Sequence, residues 1–432
     1  MAEGIEGKCK TRIKMTTDKT VLKNLRLIIG AVLAMIFLPY MGGYIYTGGK
    51  FPEDYFAFPP LVPGEKAPFS PLVFGICLAL MLVVTVLYIF PQLFGFKKPP
   101  ISLTTDNNKT PKAKVPFPTW FWVGLVMWGA TLVVLWGHFT GPKFILYWAA
   151  LPLYWGFTLV LDGIVYKRTG GTSIISTKPR EIIGIGIASI SGWLIFEYLN
   201  FFVEDNWAYP MGVELPVAEF TLYAVLGSSG LMPMALEWYS LLNTFKKFRY
   251  KYSFGPKITL PRWLKIGLLV VSLVVMFLIP FYPQAMFGAL WLTPLILLGL
   301  VLNFMKVWSP FEPIKNGNWS PLAISGLAYG IQGFLCEFWN YFSGIHNPDG
   351  TVFSHNPDYW IYSLPYVDAY HVFEMPLVGL MGYLPFGVYC AVWWVAFAYL
   401  LDIPTRFFDD GAGPVPQTES LRPRLHETEI IH

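Results

Sequence analysis

One set of polar residues that could carry out acid/base chemistry occurs twice in this chain. Glu197 and Asn200 lie three residues apart in a strongly apolar segment. The same pair recurs 140 residues later as Glu337 and Asn340. Residues three apart share a helix face, and two carboxylates shielded from water can hold different protonation states. We therefore predict that Glu197 and Glu337 act as proton donor and acceptor. Asn200 and Asn340 are predicted to orient them.

Aromatic residues and glycines follow each pair in the same order. Trp207-Ala-Tyr209 follows the first pair and Trp360-Ile-Tyr362 follows the second. A Gly-x-x-Gly-x-x-Pro element then begins at Gly227 and recurs at Gly379, 152 residues later. In polytopic membrane proteins an internal repeat indicates a site at the interface between the copies. We expect the Trp and Tyr of both segments to contribute to substrate binding there.

Three further ionisable residues lie at the start of the last segment of the two copies. Glu219 and His371 both precede the matched glycines by eight residues, and Glu374 follows His371 closely. Together with Glu197 and Glu337 they predict an acid-rich pocket that opens outward. Such a pocket could catalyse acid/base chemistry, bind a cation or relay protons. Alternatively, each Glu bonds an Asn or Trp on a neighbouring helix and only locks the fold.

The histidines and cysteines do not indicate a metal or a cofactor. The six His and four Cys include no Cys-x-x-Cys pair, and nothing pairs with His371 at ligand spacing. We therefore predict no metal and no cofactor. Nor does the net charge of +4 indicate nucleic-acid binding, because the basic residues are accounted for by membrane orientation.

The composition is that of an integral membrane protein. Hydrophobic residues make up 54% of the chain and charged residues 13%, whereas soluble domains carry about 25% charge. Several stretches exceed the roughly 18 apolar residues that a bilayer-crossing helix needs. We predict an all-α fold with ten transmembrane helices, near residues 25–47, 71–95, 119–138, 144–166, 182–203, 217–243, 263–283, 285–305, 320–343 and 371–401.

The distribution of basic residues orients these spans. With alternating spans, all but three of the 31 Lys and Arg fall on one side; the exceptions are Lys50, Lys66 and Lys143. The positive-inside rule places the basic side in the cytoplasm. We therefore predict a multi-pass protein of the plasma (inner) membrane with both termini cytoplasmic. The lipid bilayer is its expected partner, and its oligomeric state is left open.

The repeat divides the chain into two parallel four-helix units, because an even number of spans keeps both copies the same way up. We assign 1–24 to a basic cytoplasmic N-terminus, 25–95 to two N-terminal transmembrane helices and 96–118 to a cytoplasmic linker. The first four-helix repeat covers 119–243. A basic cytoplasmic linker (244–262), the second four-helix repeat (263–401) and a cytoplasmic tail (402–432) complete the chain.

Part of each repeat resembles membrane carotenoid-modifying enzymes. The resemblance lies in Glu197-x-x-Asn200, Trp207-Ala-Tyr209 and Leu215-Pro-x-x-Glu219-Phe. Small multi-span lycopene cyclases similarly carry a Trp and an aromatic residue before a Pro-x-Glu-Glu element. Membrane carotenoid hydratases carry a Glu in a span, then an aromatic loop and a Leu/Val-Pro. The resemblance implies protonation of a polyisoprenoid alkene by acids, without a redox cofactor.

The chain departs from both enzyme patterns. Pro216 is followed by Val-Ala-Glu219 and not by two adjacent carboxylates, and the second copy has His371 at that place. Asn200 stands where the hydratases have a glycine. These differences weigh against a role for Glu219 like that of the cyclase carboxylates.

The leading functional hypothesis is a membrane-embedded, non-redox acid/base enzyme that acts on a lipid or isoprenoid. A transporter or channel for a small solute or cation is the alternative that uses the same acids. It needs a path to the cytoplasm, where only Glu237 and Asp162 offer polar groups within the spans. A further alternative is a non-catalytic membrane subunit of a larger complex.

Overall fold

The computed structural model describes residues 3–104, 114–403 and 405, with side chains from residue 19 onward. Most of the predicted tail, and part of the linker predicted at 96–118, lie outside the described residues. Helices make up 67% of the structure and sheet is almost absent. The predicted all-α class is thus confirmed.

The α-helices of the described residues vary from single turns to membrane length. They are α1 (Glu3–Tyr46), α2 (Pro71–Ile89), α3 (Ile101–Thr104), α4 (Thr119–Trp136), α5 (Lys143–Tyr147), α6 (Ala150–Thr169), α7 (Ile174–Thr177), α8 (Pro179–Asn200), α9 (Val217–Ser228), α10 (Leu231–Asn243), α11 (Lys246–Arg249), α12 (Arg262–Leu278), α13 (Ala289–Met305), α14 (Ser320–Phe342) and α15 (Tyr383–Leu401).

Short 3₁₀ helices and strands lie between them. The 3₁₀ helices are Pro91–Phe94, Phe201–Val203, Pro210–Glu214, Ile279–Phe281, Glu312–Asn316 and Leu377–Gly382. The strands are β1 (Trp207–Ala208), β2 (Gly344–His346), β3 (Val352–Ser354), β4 (Ile361–Tyr362), β5 (His371–Val372) and β6 (Met375–Pro376). They pair antiparallel as β1 with β4, β2 with β3 and β5 with β6.

Six segments of the described chain are helical, long and apolar enough to cross a membrane. They are Lys19–Tyr46, Pro71–Ile89, Thr119–Trp136, Pro179–Val203, Arg262–Phe281 and Leu377–Leu401. The other predicted spans are also helical: they contain α6, the pair α9 and α10, the shorter apolar α13, and α14. The protein is therefore a helical membrane protein.

Two predicted spans are interrupted at the Gly-x-x-Gly-x-x-Pro elements. The span predicted at 217–243 breaks between α9 and α10, because the ring of Pro233 clashes with the carbonyl four residues earlier in a continuous helix. A Cβ on Gly230 would also lie 2.5 Å from the Cβ of Tyr154. Pro385 has the same position in α15, which follows the 3₁₀ helix Leu377–Gly382.

Four helices, α8, α10, α14 and α15, lie at the centre of the bundle and position the candidate residues. α15 packs against α8, α13 and α14, while α10 packs against α6, α8 and α14. Helices in a bilayer associate through close packing, since lipid is as apolar as the side chains. Small residues allow this packing: a Cβ on Gly124 of α4 would lie 2.5 Å from the carbonyl oxygen of Gly156 in α6.

The two ends of the bundle differ in character. At one end, here called the loop end, residues 47–70, 201–216 and 343–376 interlock through backbone hydrogen bonds. Tyr209 N donates to Pro60 O (2.7 Å), and Ser70 N donates to Tyr366 O (2.8 Å). The opposite, basic end carries the Lys- and Arg-rich connections 167–181, 244–262 and 306–319.

Candidate active site

Glu197 lies near the end of α8, facing the loop end, with 5% of its surface exposed. Two aromatic donors from the following segment satisfy it. Tyr209 Oη donates to Glu197 Oε1 (2.6 Å), and Trp207 Nε1 donates to Oε2 (3.2 Å). The chain turns back after α8, so the Trp-x-Tyr segment lies directly over the carboxylate.

Asn200 holds that turn. Its Nδ2 donates to Trp207 O (2.9 Å), and its Oδ1 accepts from Asn206 N (2.8 Å). The side chain is 1% exposed. Asn200 therefore fixes the segment that carries the donors to Glu197, and acts on the acid through backbone positioning.

Glu337 repeats this arrangement in α14 and is fully buried. Tyr362 Oη (2.8 Å) and Trp360 Nε1 (3.2 Å) both donate to Glu337 Oε1. Tyr383 Oη, from the first turn of α15, is a third donor to the same oxygen. No described residue hydrogen-bonds Oε2, which is buried. A buried polar atom without a partner is costly and invites a functional explanation.

Asn340 repeats the positioning role of Asn200. Its Nδ2 donates to Trp360 O (2.8 Å), and its Oδ1 accepts from Trp360 N (3.1 Å). The predicted orienting role of both Asn residues thus has a physical basis. Each Asn bonds the backbone of the Trp-x-Tyr segment that follows its Glu, and so acts on the acid indirectly.

The two Trp-x-Tyr segments pair with each other. In the β1–β4 ribbon, Trp207 lies opposite Tyr362 and Ala208 lies opposite Ile361. Exchanging the two segments maps this antiparallel register onto itself, as a local two-fold relation requires. The ribbon brings both Glu sites against one another at the loop end.

An aromatic cavity of about 100 Å³ lies beneath this ribbon. The predicted substrate-binding residues Trp207, Tyr209, Trp360 and Tyr362 all line it. The lining also includes Trp193, Tyr223, Trp291, Tyr329, Asp358, Tyr383 and Phe386. Glu197 and Glu337 lie behind this layer, so their tyrosine partners are the groups that reach the cavity.

A larger apolar cavity of about 520 Å³ adjoins the aromatic one. The two share the residues Trp207, Trp291, Tyr362, Met375, Gly379 and Gly382. The lining of the larger cavity follows α2 from Cys77 to Tyr88, a rise of about 16 Å at 1.5 Å per residue. It continues to Tyr252 and Trp319 at the basic end. Such a space suits a long apolar chain.

The remaining predicted residues lie outside the aromatic cavity. Glu219 is bonded by Tyr223 Oη, and it is this tyrosine that lines the cavity. His371 is exposed at the start of the β5–β6 hairpin and hydrogen-bonds Asp368 (2.9 Å). Glu374 bonds His346 (2.8 Å) and Tyr359. The pocket is therefore walled by aromatic side chains, with most predicted acids one layer back.

Tyr383 and Asp358 are candidate functional residues of the cavity that the sequence analysis does not predict, and Asp358 is the acidic one of the two. It lines the aromatic cavity, and its buried Oδ2 has no partner among the described residues. Burial raises its pKa from 3.8 to about 7. The signal was present in the sequence: Asp205 and Asp358 each precede a Trp by two residues, so the repeated motif is Asp-x-Trp-x-Tyr.

The equivalent Asp205 has a different environment. Burial raises its pKa to about 6, although the nearby Lys66 ammonium opposes the shift. Asn200 Nδ2 lies 3.5 Å from its Oδ1. Asp205 does not line the aromatic cavity. Of the two matched aspartates, only Asp358 is therefore placed to contact a bound molecule.

The described residues contain no group of three or more His, Cys, Asp or Glu arranged to hold a metal ion. Comparison of the chain with models of protein families, with curated proteins and with solved structures found no match. The resemblance to carotenoid-modifying enzymes thus stays a prediction.

Proposed function

We propose that this protein is a non-redox acid/base enzyme that acts on an apolar lipid, such as an isoprenoid, within the membrane. One observation carries the proposal: three tyrosines line the aromatic cavity while their hydroxyls bond buried glutamates. Tyr209 bonds Glu197, and Tyr362 and Tyr383 bond Glu337. A tyrosine in this position can relay a proton between a shielded carboxyl group and a molecule in the cavity.

The proposed reaction begins with protonation of an alkene. In the proposed step, a tyrosine hydroxyl turns from Glu337 Oε1 towards the alkene and gives its proton to an alkene carbon, while the protonated Glu337 carboxyl group rotates and delivers its own proton to that tyrosine oxygen. The substrate becomes a carbocation and Glu337 becomes a carboxylate. Tyr209 then accepts a proton from a neighbouring carbon as its own proton moves to Glu197. The net reaction is isomerisation or cyclisation, with no proton gained or lost by the substrate. Glu197 then releases its proton to water and Glu337 takes one up from water, which restores the enzyme for the next turnover.

The aromatic walls would stabilise the cationic intermediate. The faces of Trp and Tyr attract cations through their ring quadrupoles. Trp207 and Trp291 have ring centroids 5.8 Å apart, and both line the cavity. The adjoining apolar cavity would hold the remainder of a long substrate. Exclusion of water from such a site strengthens each electrostatic interaction and protects the cation from side reactions.

The proposed topology retains ten spans in two parallel four-helix repeats, with both termini cytoplasmic in the plasma membrane. The helix contacts support the repeat, because exchange of the copies preserves them. α4 packs on α6 as α12 packs on α13, and α6 packs on α10 as α13 packs on α15. Likewise, the α10–α14 contact corresponds to the contact of α15 with α8. Single cysteines placed at Lys50 and Lys257 test the orientation, since a membrane-impermeant thiol reagent should label only the first in intact cells.

Deuterium incorporation tests the proposed chemistry. Membranes containing the wild-type protein would be incubated in D₂O with total lipid extract from the native host, and all lipids profiled by mass spectrometry. We expect one lipid class to gain deuterium or change in mass with the wild type. The Glu197→Gln, Glu337→Gln double variant should abolish this change at equal expression. Identical profiles for both proteins would reject the enzyme.

Transport is a second candidate because buried polar groups extend from the aromatic cavity into the bundle. Cys336 lines the cavity, and its Sγ accepts from Gln332 Nε2 (3.2 Å). Gln332 is fully buried and accepts from Trp238 Nε1 (3.1 Å). A proton or solute flux in proteoliposomes that Gln332→Leu abolishes, without any deuterium change in lipid, would favour transport.

A further inference from the structure

A third cavity, of about 250 Å³, lies at the basic end between α6, α7, α8, α10 and α11. It shares no lining residue with the aromatic or the apolar cavity. Its lining consists mainly of hydroxyl, amide and charged side chains. The packing of helices in lipid does not explain a polar cavity of this kind.

Basic side chains converge on this cavity. Lys178, Lys246 and Arg249 contribute to its lining, and Glu181 is the acidic residue there. The positive-inside rule accounts for the end of the bundle at which these residues lie. It does not account for the lining of one concave space by three basic residues against a single acidic one, an excess of positive charge whose mutual repulsion is stronger than at an open surface. A bound anion would offset that repulsion.

Three buried polar atoms of the lining, Arg249 Nε, Asn243 Oδ1 and Glu181 Oε2, have no hydrogen-bond partner among the described residues. Arg249 Nε is buried and donates to none of them. Asn243 is 6% exposed; its Nδ2 donates to Tyr239 O (2.8 Å), which leaves the buried Oδ1 without a donor. The cavity thus presents an unused guanidinium donor and an unused amide acceptor. A phosphate ester matches both, because its oxygens accept from Arg and its singly protonated form donates.

The wall of the cavity is held in place by a buried carboxylate. Asp162 of α6 is fully buried, and its Oδ1 accepts from Ser173 Oγ and Trp120 Nε1, each at 2.8 Å. Its Oδ2 accepts from Ile175 N (3.1 Å). These bonds fix the connection that carries Ser173 and Lys178 into the lining. A preorganised wall lowers the entropy cost of binding a ligand.

We propose that this cavity binds a phosphate ester, with Arg249 as its principal ligand and Lys178 and Lys246 as supporting charges. The shared chemistry fits two sources, the headgroup of a phosphomonoester lipid or a soluble phosphate ester. The cavity lies at the basic end of the bundle, and the basic residues of that end predict a cytoplasmic location. This inference goes beyond the proposed lipid chemistry and does not rest on it.

Thermal unfolding of the full chain distinguishes the two sources. The protein in detergent would be titrated with glycerol 3-phosphate, and with sodium sulfate at equal ionic strength as a reference. In parallel, the protein in phosphatidylcholine nanodiscs would be compared with and without phosphatidic acid. A ligand that binds only the native state raises the unfolding midpoint with concentration. A saturable rise with glycerol 3-phosphate identifies a soluble ligand, and a rise with phosphatidic acid alone identifies a lipid.

Lys247→Gln is the matched control for Arg249→Gln. Lys247 belongs to the same short helix, is exposed and does not line the cavity. We expect Arg249→Gln to weaken binding at least tenfold, Arg249→Lys to restore part of it, and Lys247→Gln to leave it unchanged. No saturable rise with either probe, or equal weakening by Lys247→Gln, would overturn the proposal. Deuterium incorporation at the aromatic cavity is measured independently, so failure of one proposal leaves the other standing.

Discussion

Glu197 accepts hydrogen bonds at both carboxylate oxygens, whereas Glu337 accepts three at Oε1 and none from a described residue at Oε2. The aromatic partners in the following segment are otherwise matched, one Trp and one Tyr in each copy. Bonds at both oxygens favour an ionised carboxylate. A carboxyl group with one oxygen crowded by donors can carry a proton on the other. Under the proposed function, this comparison supports Glu337 as the donor and Glu197 as the acceptor.

The second difference is an exchange of large and small residues. At the 140-residue offset of the glutamates, Trp193 in α8 corresponds to Gly333 in α14. At the 152-residue offset of the glycine elements, Leu231 corresponds to Tyr383. A Cβ on Gly333 would lie 2.4 Å from Cγ of Tyr383, so the glycine provides the space that the tyrosine ring fills. Each copy supplies one large ring beside its Glu, from different helices.

The exchange of large and small residues helps to distinguish a structural from a functional reason for the repeated motif. Both copies keep the Glu, Asn, Trp and Tyr that hold the ribbon, which a purely structural role would also explain. Only the second copy adds a tyrosine hydroxyl that both bonds Glu337 and lines the cavity. The first copy has Trp193 beside Glu197 instead, and an indole N–H does not transfer a proton as a phenol can. This difference in the kind of group supports the proposed asymmetric reaction, in which donor and acceptor have different tasks.

The glutamates give the largest expected effect. We expect Glu337→Gln and Glu197→Gln each to reduce the rate of deuterium incorporation by about 10²–10⁴-fold, the range for loss of a general acid or base. The double variant should be little slower than either single one, because both residues serve one reaction. The rate would be followed in native membranes in D₂O.

Glu237→Gln is the control for these variants, since Glu237 is a fully buried Glu of α10 that does not line the aromatic cavity. Retention of full activity by Glu337→Gln, or an equal loss in Glu237→Gln, would break the assignment of donor and acceptor.

Gly333→Ala tests the exchange of large and small residues. The added methyl group has to displace the Tyr383 ring, and overpacking of this kind costs about 1–3 kcal/mol of stability. We expect a lower unfolding temperature in detergent together with a loss of activity comparable to that of Tyr383→Phe. Gly330→Ala, one turn earlier, meets only the end of the Leu384 side chain at 3.1 Å. It should be tolerated, and equal destabilisation by both changes would contradict the specific contact.

The tyrosines give a smaller effect. Tyr209 is the tyrosine bonded to Glu197, whereas Glu337 keeps Tyr383 when Tyr362 is changed. We therefore expect Tyr209→Phe to slow deuterium incorporation about tenfold more than Tyr362→Phe does, within the range for proton-transfer groups. Tyr389→Phe is the control, because its hydroxyl bonds the Gly192 carbonyl (3.3 Å) and no carboxylate. Equal rates for Tyr209→Phe and Tyr362→Phe would remove the asymmetry between the sites.

The sequence predicts the local pairs better than the cavity. The spacing of Glu197 and Asn200, and its recurrence, locates both sites because helix periodicity fixes which side chains share a face. The aromatic residues Trp207, Tyr209, Trp360 and Tyr362 are predicted at the site, but the position of this layer over the acids is not. It depends on chain reversal after α8 and α14, which is set by Asn–backbone bonds that spacing alone does not encode.

The outer acids were placed less well for a similar reason. Glu374 and His371 were assigned to a span, but Pro376 and Pro385 interrupt a helix there, and residues 371–376 form a hairpin instead. Asp358 is not among the predicted site residues, because nothing local distinguishes it from the other acidic residues of its loop, Asp349 and Asp368. Its burial follows from the pairing of β1 with β4, a contact between segments about 150 residues apart that no local pattern reveals.

The smallest expected effect is on the pH dependence of stability, to which Asp358 and Asp205 both contribute. Burial raises the pKa of Asp358 to about 7 and that of Asp205 to about 6. A carboxyl group whose folded-state pKa is raised binds its proton more tightly when folded. Its contribution to stability is therefore complete below the unfolded pKa near 4 and is lost as pH rises through the folded value. Between pH 6 and 7.5 the loss should come from Asp358 more than from Asp205.

We expect Asp358→Asn to flatten the fall in unfolding temperature over this interval, while Asp205→Asn leaves most of it in place. His371, whose pKa is raised chiefly by its hydrogen bond with Asp368, contributes a fall of the same sign. It is present in both variants, so it cancels when each is compared with the wild type. Unfolding of the purified protein would be followed by tryptophan fluorescence from pH 5 to 8. If Asp205→Asn flattened the profile as much as Asp358→Asn, the two aspartates would share one environment. The cavity-facing role assigned to Asp358 would then be lost.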